Sequence, residues 1–391
     1  MASILYGKHG NAAARAIATM FFINGCVFGS WSALIPSAKG QLGASEVGFG
    51  WLLFAFGAGA LTGVFSSLFA MQRIGSRLIL RVSALALLAA MASTIAATSQ
   101  GVFVVSLFLV GLFGCLMDVA MNEQGAFAER HLSRPILSTL HALWSIGGLV
   151  GAVLCGIAPA GMAAISCAMA TLLVLAFLFA MAQGNLLGDV ANRRHDKPAR
   201  LHLGVGLVLL GLFAGCCVAA DGAVRDWSAL FISGTFTDAA IGASLGYGAY
   251  AGAMALFRFF GDRLCARFGK ANLLFASTIT VLASLLVIAY APSMEVAIVG
   301  FLLFGIGISN VFPILVSFAG AKAGSAGVTF TVSMAYVAAL SCPPLFGWIA
   351  ASTSLATIFL AVALPFLVVG FATLVHSRQT SRAGMAIAEN H

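Results

Sequence analysis

The segment Gly101–Gly125, GVFVVSLFLVGLFGCLMDVAMNEQG, constrains this chain more than any other. About 20 apolar residues at 1.5 Å each cross the hydrocarbon core of a bilayer, and this run is long enough. It also carries Asp118, with Asn122 and Glu123 about one turn further on. A carboxylate at membrane depth costs on the order of 3 kcal/mol, so it is expected to face a watery cavity between helices, not lipid. A fold that holds this segment needs further spans to enclose it.

The rest of the chain supplies them. Of 391 residues, 61% are hydrophobic and only 8% charged, against about 25% charged in ordinary soluble domains. The chain therefore reads as an all-α integral membrane protein. Its net charge of +8 comes from basic residues at the ends of apolar runs, not clustered with aromatics, so no nucleic-acid partner is expected. The eight cysteines show no CxxC or Cys/His metal spacing, and most lie inside apolar runs, where thiols behave as small hydrophobes. No disulfide, metal or cofactor is expected. The first apolar run follows a basic flank, as in a signal peptide, but continues to Pro36 without a clear cleavage site and reads as a retained span.

Twelve spans are expected, at 12–35, 46–71, 78–98, 101–127, 136–158, 161–183, 202–231, 240–261, 271–291, 294–318, 328–350 and 353–376. The polar, basic stretch 184–201 divides them into six-helix halves, 1–183 and 202–376, followed by a tail, 377–391. With this count every Lys and Arg except Lys39 and Arg225 falls on one side of the membrane. The positive-inside rule then places both termini and the central connection in the cytoplasm. An odd number of spans would scramble that asymmetry.

The two cytoplasmic turns Gln72-Arg73-Ile74-Gly75-Ser76-Arg77 and Ala266-Arg267-Phe268-Gly269-Lys270 repeat Arg-x-Gly at an offset of 194 residues. Two six-helix halves with a site between them is a recurring transporter plan. Over essentially its whole length the chain resembles the major facilitator superfamily, whose signature at these turns is Gly-x-x-x-Asp-Arg-x-Gly-Arg-Arg. The copies here are degenerate: Leu68, Gln72 and Ser76 replace the Gly, the Asp and the first closing basic residue. Ala266 replaces the second Asp, with Asp262 one turn earlier. The resemblance implies the major facilitator fold of two pseudo-symmetric six-helix bundles, and a monomer in a bacterial inner membrane. It also implies that Arg73, Arg77, Arg258, Asp262 and Arg267 form a gating latch. Asn122, His141-x-x-x-Ser145-x-Gly147-Gly148 and Asp226-Trp227-Ser228 are similar to the fucose-permease-like sugar:proton symporter branch.

Asp118 and Asn122 share a helix face, while Glu123 points about 100° away. Asp118 and Glu123 are candidate proton carriers; Glu123 equally suits an interfacial pairing with Arg130 or Arg134. His141 can relay a proton, pair with a carboxylate or meet a solute hydroxyl, or simply bond a neighbouring helix. Asp221, a fourth candidate for proton coupling, stands four residues before Arg225 and can be neutralised by it; both are expected near the periplasmic surface. Trp227 is either an interfacial aromatic or a gate. Asn24, Asn122, His141, Trp227, Asn310 and Tyr336 are the candidate solute ligands, with interhelical hydrogen bonding as the alternative for Asn24, Asn310 and Tyr336. Pro313 and the pair Pro343-Pro344 are expected to free carbonyls that line a cavity. Small-xxx-small pairs at Gly25/Gly29, Gly59/Gly63, Gly147/Gly151, Gly211/Gly215 and Gly248/Gly252 allow close helix approach and mostly mark spans expected to meet between the halves.

No phosphate-cradling GxxxxGK[ST] and no HExxH occur, which excludes nucleotide-driven pumping and zinc hydrolysis by those motifs. The leading expectation is a non-enzymatic, proton-coupled transporter of a small polar, sugar-like solute working by rocker-switch alternating access. Proton-driven efflux of amphipathic compounds and a non-transporting membrane sensor remain as alternatives.

Overall fold

The computed structural model describes residues 2–132, 136–156, 162–188, 204–236 and 240–388, and all regular structure among them is helical. The first half contains α1 (Ala2–Gln41), α2 (Glu46–Arg73), α3 (Ser76–Ala96), α4 (Gln100–Leu132), α5 (Leu137–Gly156) and α6 (Met162–Ala182). The second contains α7 (Val205–Thr235), α8 (Ala240–Phe259), the short α9 (Gly261–Phe268), α10 (Lys270–Ala289), α11 (Met294–Ile308), α12 (Val311–Ser352) and α13 (Leu355–Ala388). Eleven stretches among the described residues are long and apolar enough to cross a membrane. The helix α8 holds the remaining place of the expected twelve.

The tenth and eleventh spans depart from expectation. The tenth is broken at Ser309 and Asn310, between α11 and α12, and α12 is assigned as helix across the junction with the eleventh. Yet a methyl carbon at Gly327 would collide with the Ala319 carbonyl, which a straight helix would hold about 12 Å away. The chain therefore reverses inside α12, giving two arms that complete the tenth and eleventh spans.

Packing repeats with a six-span period. The helix α1 lies along α5 and α2 along α4; correspondingly α7 lies along the second arm of α12, and α8 along α11. Between the halves, α5 meets α8 and α2 meets the second arm of α12, two contacts that exchange under the same operation. The internal repeat also reaches the backbone. Gly75 (φ 86°, ψ 156°) and Gly269 (φ 79°, ψ 146°) cap α3 and α10 in one shared conformation. Only glycine adopts that region readily, which explains why the degenerate turns still hold their glycines.

Most of the glycine pairs do not lie where the sequence suggested. Gly25 and Gly29 of α1 press on the Trp144 and Gly148 backbones of α5, and Gly147 and Gly151 press back on Phe22 and Cys26. Gly59 and Gly63 face α4, and Gly211 faces Phe330 and Met334. All of these are contacts within one half; Gly248 and Gly252, against Leu149, do cross. Closer crossing contacts come from other glycines: Gly50 meets Pro343, Gly57 meets Leu340 and Gly347 meets the Glu46 carbonyl. Together with Gly156 against Ser244, they close the bundle on the side of the α1–α2 turn. There Ser45 caps α2 by accepting from Gly48 N at 3.1 Å, and Lys39 pairs with Glu46 at 2.5 Å.

Of the central connection expected at 184–201, residues 189–201 lie outside the described residues. Its start is fastened to the first half. Arg81 donates to the Gln183 carbonyl at 2.8 Å and Arg77 to that of Gly184 at 3.3 Å. Buried Gln124 of α4 exchanges two bonds with the Leu187 backbone, at 3.1 and 3.0 Å.

Candidate functional site

A cavity of about 390 Å³ lies between the halves, walled by α1, α2, α4 and α5 on one side and by α7 and α12 on the other. Its polar lining is Asn24, Asp118, Asp221, Arg225 and Tyr336; Phe28, Phe56, Trp144 and Phe312 supply most of the aromatic surface. Four sequence candidates, Asn24, Asp118, Asp221 and Tyr336, are thus brought together.

Asp118 faces the cavity near the middle of α4, and no cationic side chain among the described residues pairs with it. Its helical neighbour Asn122, one turn on, donates to the Asp118 carbonyl at 2.9 Å and to Oδ1 at 3.2 Å. His141 Nε2 lies 3.1 Å from Asn122 Oδ1. The amide nitrogen is committed to Asp118, so Oδ1 is the acceptor and His141 Nε2 carries the proton. The imidazole packs edge-on against Phe21, with centroids 5.2 Å apart. Asn122 and His141, both half-buried, connect to Asp118 but are not among the residues that line this cavity. The depth of His141 follows from its helix start: Glu129 of α4 accepts from Ile136 N at 2.7 Å and Leu137 N at 3.0 Å. That carboxylate satisfies donors left open at a helix N-terminus.

The α7 charges lie deeper than expected. The helix runs ten residues beyond Arg225, to Thr235, or about 15 Å, because the apolar run after Trp227 extends it past the expected end. Arg225 Nε meets Asp226 Oδ1 at 3.1 Å, and the guanidinium reaches Asp221 Oδ2 at 3.5 Å. The Tyr250 hydroxyl of α8 donates to the other Asp221 oxygen. Arg225 also ties the halves: its carbonyl accepts from Ser32 of α1 at 2.5 Å, and its Cζ stands 5.9 Å from the Phe56 ring centre. Removing one member of such a cluster leaves uncompensated charge, at a cost of about 3–5 kcal/mol where it is fully buried.

Trp144 was not singled out from sequence, although it stands between His141 and Ser145. Its Nε1 donates to Asn24 Oδ1 at 2.7 Å, a meeting made possible by the glycine contact of α1 with α5. A large aromatic inside a polar-faced span was the available signal. Tyr336 of α12 faces Cys115 of α4, hydroxyl to Sγ 3.7 Å, across the two halves.

Other candidates face elsewhere. Asn310 donates to the Phe257 carbonyl at 3.2 Å and Arg258 to the Ser309 carbonyl at 3.1 Å. Pro313 has no N–H for Ser309, its partner four residues back, and α8 ends at Phe259. The two side chains therefore cross-tie two interrupted helices. Trp227 is fully buried in α7, outside the cavity wall. Glu123 is half-buried and likewise absent from the wall. Arg73 and Arg267 are exposed, the latter 5.5 Å from the Phe268 ring centre. The Asp262 side chain lies outside the described residues.

A two-fold repeated bundle of membrane-crossing helices around a charged central cavity defines a solute transporter. The family model described as Major Facilitator Superfamily matches residues 17–335, and the chain belongs to that superfamily. It is 30% identical over 369 residues to the uncharacterized transporter y4wD of Sinorhizobium fredii, covering 90% of this chain and 94% of that one. It is 30% identical over 377 residues to membrane protein MosC of Rhizobium meliloti, covering 94% and 90%. Among solved structures, a point mutant of the nucleoside transporter NupG matches with a TM-score of 0.78 at 11% identity, over 93% of this chain and 99% of that one. A point mutant of the Escherichia coli fucose:proton symporter FucP matches at 0.59 and 17%, over 92% and 97%. At those identities the likeness is one of fold. Superfamily membership makes the chain a multi-pass membrane transporter of small molecules and not an enzyme.

Proposed function

We propose that this transporter carries a small polar, oxygen-rich solute inward together with protons, by alternating exposure of the central cavity. The carrying observation is Asp118, a carboxylate on the cavity wall with no cation within ion-pair distance among the described residues. Such a group at membrane depth is offset by a proton or by a solute, and exchanging one for the other couples the two fluxes. The two halves, 1–183 and 202–376, are the rocking bodies, with both termini cytoplasmic and the α1–α2 turn outside. On that reading the glycine contacts close the outer side, and the described conformation faces inward. The named cargoes of NupG and FucP, nucleosides and fucose, agree with a hydroxylated solute. The protein is read as a monomer in a bacterial inner membrane.

An apolar cavity with Asp118 as its one charge would favour efflux of amphipathic compounds. Asp221 and Arg225 also line this cavity, which favours the polar solute. The test is proton flux into proteoliposomes on adding L-fucose, D-glucose, myo-inositol, uridine or adenosine. The expected outcome is solute-dependent external alkalinisation, abolished in Asp118→Asn. Flux that persists in Asp118→Asn removes Asp118 from coupling.

A further inference from the structure

The amide of Asn24 has a single allowed orientation. An indole N–H can only donate, so the 2.7 Å bond from Trp144 fixes Oδ1 toward α5 and turns Nδ2 away. Nδ2 is enclosed and has no hydrogen-bond partner, in a side chain only 2% exposed that forms part of the cavity wall. Relief by sliding α1 is blocked, since Gly25, Gly29, Gly147 and Gly151 hold α1 and α5 in backbone contact. A buried donor without a partner destabilises the unliganded protein, and an apolar residue of this size would avoid that cost.

We propose that Asn24 Nδ2, sealed in this conformation, is uncovered when the wall beside it shifts on solute entry and then acts as a specificity-determining donor, so that the solute presents a hydroxyl, ether or carbonyl oxygen, or a ring nitrogen, to α1 beside Trp144. This rests on the reading of the cavity as the solute site, and it names the chemistry recognised there. Asp118 supplies the opposite polarity from α4. One fixed donor and one acceptor on the same half select a solute carrying both kinds of group. A lipophilic cation without acceptor atoms leaves Nδ2 unsatisfied and is disfavoured. Trp144 acts as a positioning residue, holding the amide so that the donor cannot rotate away.

The test is equilibrium binding to the full-length protein in lipid nanodiscs, without a proton gradient. The probes are the same five oxygenated solutes and tetraphenylphosphonium, which has no acceptor atom. Asn24→Leu should weaken the oxygenated solute that binds wild type by about tenfold, the effect of one lost hydrogen bond of about 1.4 kcal/mol, and leave tetraphenylphosphonium unchanged. Trp144→Phe keeps Asn24 and an aromatic wall but frees the amide; a loss of about threefold is expected, and it serves if Asn24→Leu does not fold. Equal affinity in wild type and Asn24→Leu, or binding of tetraphenylphosphonium alone, overturns the proposal. Binding that depends on Asn24 but moves no protons sinks coupling through Asp118 and leaves the donor standing.

Discussion

His141 on α5 and Asn122 on α4 meet through Nε2 and Oδ1 at 3.1 Å, and that single contact sets the chemistry of the imidazole. Asn122 also donates to a backbone carbonyl at 2.9 Å, so its amide keeps this orientation whether or not Asp118 holds a proton. The unshared electron pair of neutral His141 is therefore on Nδ1.

Selective ¹⁵N labelling should show His141 as the Nε2–H tautomer in wild type. Asn122→Leu keeps the bulk and removes all three bonds of the amide; solute-driven proton flux in proteoliposomes should fall about tenfold as Asp118 and His141 lose their alignment. A Nδ1–H tautomer in wild type, or unchanged flux in the variant, defeats this arrangement.

The Arg258/Asn310 cross-tie gives a stability prediction. Arg258→Ala and Asn310→Leu each leave a carbonyl without its donor, at about 1–3 kcal/mol. Both should lower the thermal unfolding midpoint in detergent by several degrees, while solute affinity per folded molecule is retained. Normal stability with lost binding in Asn310→Leu would instead return Asn310 to the solute site.

Closure by Gly50, Gly57 and Gly347 can be tested through Cys115, a cavity residue. In a background with the other cysteines replaced by alanine, Gly347→Leu inserts a side chain where α12 touches the Glu46 carbonyl. The halves should part on that side, since overpacking a close contact forces a shift. An impermeant thiol reagent applied on the side of the α1–α2 turn should then label Cys115 several-fold faster than in the parent. Equal rates mean that this contact does not hold the bundle shut.

Much of the plan is legible in sequence because it depends on local quantities. Hydropathy summed along each span, the Lys/Arg asymmetry and the repeated Arg-x-Gly turn identify twelve spans in two halves, and Gly75 and Gly269 repeat down to their dihedral angles. The placement of Asp118 was legible for the same reason: a carboxylate inside an apolar run has few places to face.

What only the tertiary structure decided is which polar groups reach the cavity. Nothing in residues 300–313 says that Asn310 turns to Phe257, because the carbonyls at issue are freed by breaks in two different helices. Arg225 was expected at the surface and lines the cavity, since the end of α7 depends on how far the run after Trp227 is covered by its neighbours. The glycine pairs announced close contacts but not their partners, and Trp144 acquired its meaning only through Asn24, 120 positions away. Composition and periodicity fix what a span must bury; the rotation and neighbour of each helix are set by packing between segments distant in sequence.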